Sequence, residues 1–185
     1  EETPEGAEVR YMVVGDPKGD LRYVHLQERE DSCAIAAQEM ILDKFYGDPE
    51  AFSEEELFNI ALDQDWIEPN GGIFYDNIGK LLELYGLKTE MRFGESLINL
   101  VSRLDNGQEA IVVVNSGILW DDPDYYGDGA ADHAVWVCGA KIDPMGRIVS
   151  LFVNDSGNGK HYEVPVEKFM DAWSRSNFFV VYAWK

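Results

Sequence analysis

The chain has 185 residues, 45% of them hydrophobic, and carries 15 Lys+Arg against 35 Asp+Glu for a net charge of −20. That apolar content supports a packed core rather than disorder, and the length fits one domain or two fused lobes. An acidic surface repels phosphate backbones, which argues against a nucleic-acid partner, and no apolar run approaches the ~20 residues that span a bilayer.

Residues 1–25 read as an arm with a short strand at 8–14. From Cys33 to Tyr46, apolar Ala36, Ala37, Met40, Ile41 and Phe45 fall at helical spacing, and Gly47 is a natural C-cap. Ser53-Glu54-Glu55-Glu56 is a capping box that opens a second helix through Leu57, Ile60 and Ala61. A third helix over 74–85 carries Phe74, Ile78, Leu81, Leu82 and Tyr85 and ends at Gly86. A fourth covers 95–104, stopped by Asn106-Gly107.

Beyond residue 108 the pattern becomes strands: 110–114, 133–142, 148–153, 161–164 and 178–184 are rich in β-branched and aromatic residues. Val166, Phe169, Met170 and Trp173 mark a short helix between the last two. The expectation is an α+β fold in a single domain, 1–185. It would have an N-terminal arm (1–25), a helical lobe (26–107) and a β-rich lobe (108–185), with a cleft between the lobes.

Only two cysteines occur, so no disulfide framework is read. Cys138 lies in the apolar strand Ala134-Val135-Trp136-Val137-Cys138 and reads as an inert core residue. Cys33 opens a helix, where the dipole favours a thiolate. His133 follows a loop and enters a strand, which suits a base at the lobe junction. Folding the next two strands about Asp143-Pro144-Met145-Gly146 returns both Asn154 and Asp155 beside it. A one-residue register slip exchanges their faces, so geometry alone leaves both open as the group that orients the imidazole. Gln27, shortly before Cys33, could add an amide donor to an oxyanion hole.

No metal or cofactor site is read. The acidic loop 121–128 lacks the spacing of an EF-hand, and Cys33, His133 and Cys138 have no zinc-site spacing. No P-loop or dinucleotide fingerprint is present.

Several of these residues coincide with motifs. Gln27 and Cys33 are six positions apart with Ser32 before the thiol. Asp132-His133-Ala134-Val135 follows, then Asp155-Ser156-Gly157. Phe52-Ser53-Glu54-Glu55-Glu56-Leu57 and Asn70-Gly71-Gly72 add two more. Together, over about residues 20–183, they resemble the papain-like cysteine peptidases, in particular the bacterial C39-like branch that includes bacteriocin-leader-processing domains. The resemblance implies a two-lobe papain-like fold and peptide-bond hydrolysis through a Cys33 thioester, with His133 as base and acid. It implies Asp155, rather than Asn154, as the third member and Gln27 in the oxyanion hole. Gly71 and Gly72 would line the non-primed subsites.

Three departures stand out. Ala34 replaces the aromatic residue that follows the nucleophile, Gly157 stands near the place of a shielding tryptophan, and the family's disulfides are absent, with Pro69 where a cysteine would precede Asn-Gly-Gly. The implied partners are a peptide or protein substrate and a cognate inhibitor or immunity protein. A start at Glu1 without Met is read as a processed or excised chain and leaves the compartment open; a soluble protein is read, with one domain of a secreted or delivered bacterial effector or toxin among the options. The same triad also serves deamidation, transglutamination and amide hydrolysis, and the fold also serves silent binding modules. The carboxylates of loop 121–128 are expected to flank the cleft and favour Lys or Arg near the scissile bond.

Overall fold

The computed structural model describes residues 9–70 and 72–185. In chain order the elements are β1 (Met12–Gly15), α1 (Pro17–Asp20), α2 (Cys33–Tyr46), α3 (Glu54–Asp63), α4 (Lys80–Leu84), β2 (Lys88–Arg92), α5 (Leu97–Asp105) and β3 (Glu109–Val114). There follow α6 (Ser116–Trp120), β4 (His133–Ile142), β5 (Ile148–Asp155), β6 (Lys160–Pro165), α7 (Val166–Ser174) and β7 (Val180–Trp184). The fold is α+β, as the periodicity implies. Its strands form an antiparallel sheet in the order β2-β7-β3-β4-β5-β6, with β1 also paired to β4.

The period-2 alternation of the central strands builds two cores. Ile111, Val113, Ala134 and Trp136 face α2, α3 and α4, whereas Ala110, Val112, Val114, Val135 and Val137 face α5, α6 and α7. Helix α2 has every residue from Ala34 to Asp43 buried, polar ones included, as expected of a helix enclosed on all sides. Gln38 makes that burial tolerable. Its Nε2 donates to the Ala34 carbonyl, while Oε1 accepts from the N–H groups of Gly79 and Leu81 at the start of α4.

The capping signals behave as expected. Gly47 ends α2 at φ +70°, and Ser53 Oγ accepts from Glu56 N; α5 starts at Leu97 rather than at 95, capped by Ser96 through Asn99 N. The third helix is a correction. Instead of one helix over 74–85 there is a 3₁₀ turn at Tyr75–Asn77, a break at Gly79 and the short α4. Gly79 holds φ +113°, and a Cβ there would lie 3.1 Å from the Val181 side chain, so the chain turns where the apolar spacing suggests continuity. Three short elements were not expected, α1, β2 and α6. In the N-terminal arm, β1 covers part of the expected strand, whose first residue, Glu8, lies outside the described residues.

Candidate active site

Cys33 is the first residue of α2, and His133 is the first residue of β4. The two meet at one end of the sheet. The Ala134 N–H donates to Cys33 Sγ at 3.4 Å, and the His133 ring lies beside the same thiol, lining one hollow with it. Burial alone would raise the thiol pKa. The hydrogen bond and charge of His133, with the N–H groups of Ala134 and Ala34, more than offset that and hold it below its ordinary value. Burial likewise disfavours a charged imidazole, but Asp155 and Cys33 overcome it and raise His133 above its usual range. Opposite shifts on the two neighbouring groups each favour the charged form.

Strand parity decides between the two candidate third residues. Residues paired across an antiparallel ladder share a face, and Val137 pairs with Val153, so His133, Val135 and Val137 share a face with Val153 and Asp155. His133 Nε2 accordingly lies 2.6 Å from Asp155 Oδ1. Asn154 points the other way, where its Nδ2 donates to the Asp20 carbonyl and its Oδ1 faces His161 Nδ1.

Asp155 is fully buried, and its oxygens accept from Gly157 N at 2.9 Å, Trp120 Nε1 at 2.7 Å and the Tyr162 hydroxyl at 2.6 Å. Burial would raise this carboxyl, but His133 first, then Tyr162 and Trp120, hold it below its ordinary value. A carboxylate with that many donors stays ionised and fixes the imidazole.

Trp120 and Tyr162 were not picked out from the sequence. Trp120 closes α6, whose N-terminus Asn115 caps through Ile118 N. Its ring packs on His133 with centroids 5.2 Å apart, so an indole covers the His–Asp pair although Gly157 stands near the family's tryptophan position. The two facts are linked. A Cβ on Gly157 would come within 2.7 Å of Trp120 Cζ2 and 2.9 Å of His133 Cε1. Gly157→Ala is therefore expected to cost about 1–3 kcal/mol of stability through overpacking and to lower turnover by displacing the imidazole. Urea unfolding and steady-state kinetics on the same preparation check both, and unchanged values would show that Trp120 moves aside freely.

Gln27 sits in the same neighbourhood but is internally engaged. Its Nε2 donates to the carbonyls of Arg29 at 2.7 Å and Glu30 at 3.0 Å, while Oε1 accepts from Ser156 Oγ. The loop that carries it is pinned by buried Glu54, which accepts from Glu28 N at 2.6 Å and from the Ser32 hydroxyl.

Two hollows flank His133. One, of about 390 Å³, includes Cys33, Gly72, Ile73, Tyr75 and Val113; the other, of about 510 Å³, includes Gln27, Trp120, Tyr125 and Gly157. Gly72 thus reaches the cleft, whereas Gly71 lies outside the described residues. Acidic residues border both hollows, yet they are Glu28, Glu30, Asp31 and Asp132. Asp121 and Asp122 of the loop expected to supply them line a separate hollow with Glu167 and Lys168, and Asp121 pairs with Lys168. Cys138 is buried with its thiol raised well above the ordinary value by burial, in keeping with an inert core residue. Among the described residues, no helix is long and apolar enough to cross a membrane.

No protein-family model matches the chain. Uncharacterized proteins of Mycobacterium tuberculosis and Mycobacterium bovis are 27% identical over 90% of this chain and 82% of their own length. Among solved structures, a C39-like peptidase from Bacillus anthracis superposes with a TM-score of 0.65 over 94% of this chain and 98% of its own, at 16% identity. The peptidase domain of the Streptococcus transporter ComA gives 0.60 over 87% and 97%, also at 16% identity. A double-glycine-motif protease from an AMS/PCAT transporter, solved with its leader peptide, gives 0.59 over 88% and 91%, again at 16% identity. The chain therefore has the papain-like fold of the C39-like peptidases.

Proposed function

We propose that this protein is a cysteine peptidase in which Cys33 is the nucleophile, His133 the general base and acid, and Asp155 the residue that orients His133. The observation that carries the reading is the convergence of the Cys33 thiol, the His133 ring in the same hollow and the Asp155 carboxylate that holds His133 and accepts from three further donors. The Cys33 thiolate attacks the scissile carbonyl, His133 protonates the leaving amine, and a thioester forms on Cys33. Water activated by His133 then releases the acid and restores the thiolate. Hollows on both sides of His133 give room for chain on either side of the scissile bond, which favours a peptide over a small amide.

An oxyanion needs donors. The first-turn N–H groups of α2 have no intrahelical partners, so the Cys33 N–H supplies one, and the Gln27 amide is the proposed second. Because both Gln27 Nε2 hydrogens are spent on the Arg29 and Glu30 carbonyls, the amide contributes only when it is re-aimed towards the developing charge. Gln27→Ala should then lower maximal turnover by roughly 10²–10³-fold with little change in KM. A rise in KM alone would remove Gln27 from this role.

The pKa directions set a pH test. Cys33 is depressed below 9.0 and His133 raised above 6.5, so the ion pair forms as pH rises through the thiol's folded value and is lost as pH rises through the imidazole's. Iodoacetamide should alkylate Cys33 at pH values where an ordinary thiol is protonated. His133→Ala should move the inflection upward, since burial then acts with less opposition. The same inflection in both proteins would contradict the proposed pair.

A further inference from the structure

Outside the cleft, three ionisable side chains converge, two of them buried carboxylates and the third a part-exposed histidine. Glu39 and Asp43 lie one turn apart on α2 and so share a face. His25, from the segment that leads to Gln27, approaches them, and one ligand atom from each of the three lies within 4.8 Å of the others. Glu39 is 6% exposed and Asp43 is 0% exposed. His25 Nε2 is 3.0 Å from Glu39 Oε2, an ion-pair distance. Yet neither of those atoms, nor Asp43 Oδ2, has a hydrogen bond of acceptable geometry among the described residues. The Phe52 N–H holds the other Asp43 oxygen at 2.9 Å, which leaves Oδ2 aimed into the cluster.

Such an arrangement is costly as it stands. A charged His25 offsets one carboxylate and leaves the second, and buried like charges one helical turn apart repel. A divalent cation would resolve this. One imidazole nitrogen and two carboxylate oxygens form a borderline donor set that suits zinc and its neighbours better than calcium or magnesium, and two carboxylates balance two positive charges. We propose that His25, Glu39 and Asp43 form a partly buried site for one divalent transition-metal ion of the zinc class, completed by water. Tetrahedral bonds of about 2.0–2.2 Å place donor atoms roughly 3.4 Å apart, between the 3.0 Å of the His25–Glu39 pair and the 4.8 Å span of the cluster. The ion ties the chain just before Gln27 to the helix that begins at Cys33, a structural role that holds whether or not Cys33 is a nucleophile.

The test uses the full chain carrying Cys33→Ala, so that the cleft thiol cannot capture metal. After chelator treatment it is titrated with Zn²⁺ by calorimetry and with Co²⁺ by visible absorption. Expected are one ion per chain, a Co²⁺ spectrum free of thiolate charge transfer, and a midpoint of thermal unfolding raised by about 5–10 °C at a hundredfold excess over Kd. Adding Asp43→Asn or His25→Gln should weaken binding by about a hundredfold or more. The metal-free Asp43→Asn protein should fold at least as well as its parent, because a buried like-charge pair is gone. No stoichiometric binding, or equal affinity with and without Asp43→Asn and His25→Gln, would overturn the site.

Discussion

Cys33→Ala is expected to lower turnover on the order of 10⁶-fold, while stability changes by no more than about 1 kcal/mol. The loss is that large because nucleophile and base act as one unit. With the sulfur gone, no other group takes its place opposite His133, and the thioester has no atom on which to form. Stability is spared because Cys33 is only partly buried at the mouth of the cleft and the side-chain core of α2 begins with Ala34 and Ile35. His133→Ala should cost about as much turnover, and the double variant no more than either single one, since two parts of one device are not additive. Product formation followed by mass spectrometry, with circular dichroism and urea unfolding on the same samples, measures both. A Cys33→Ala protein with more than a few per cent of the parental rate would exclude the thiol mechanism.

Asp155→Ala should act on rate and stability together. It strips the partner from His133 Nε2, Trp120 Nε1, the Tyr162 hydroxyl and Gly157 N in one step. Leaving a charged or polar group buried without its partner typically costs about 3–5 kcal/mol for an ion pair, so a shift of that size is expected in urea. Turnover should fall by roughly 10–100-fold, as for other residues that hold a reacting group in place. Asn154→Ala is the control next door. It loses bonds to Asp20 and His161 and should cost about 1–3 kcal/mol, but it leaves His133 untouched and turnover within about twofold. If Asn154→Ala were slower than Asp155→Ala, the orientation assigned to His133 would be wrong.

Those two neighbours show how much of the site was legible. Alternation says that Asn154 and Asp155 face opposite ways, but which one faces His133 depends on pairing that the residues do not spell out. The ladder has a one-residue irregularity between Val137 and Gly139; because it falls beyond Val137, it leaves the parity from His133 to Asp155 intact. Trp120 was invisible for a different reason. It touches Asp155 across 35 positions of chain, from a five-residue helix too short to show a period. Tyr162 alternates along β6 like any half-buried strand residue. Gln27 was recognisable as an amide close to the thiol, but its engagement with Arg29 and Glu30 is a property of a tight loop.

The fold divides in the same way. Strongly apolar segments such as α2, β3 and β4 were readable because burial sets their pattern, and Ser53 and Gly47 were readable because caps need particular residue types. The helix expected over 74–85 breaks because Gly79 supplies a backbone angle that the apolar spacing does not report. Strand β2, Lys88-Thr89-Glu90-Met91-Arg92, has no buried residue and exists through its ladder with β7, so it carries no hydrophobic signature of its own.

The most direct measurement of the peptidase reading is N-terminal proteomics of a lysate treated with the protein and, in parallel, with Cys33→Ala. The account predicts new N-termini in the first sample that share a common local sequence and are absent from the second. Identical sets of N-termini in the two samples, from a protein shown to be folded, would contradict it.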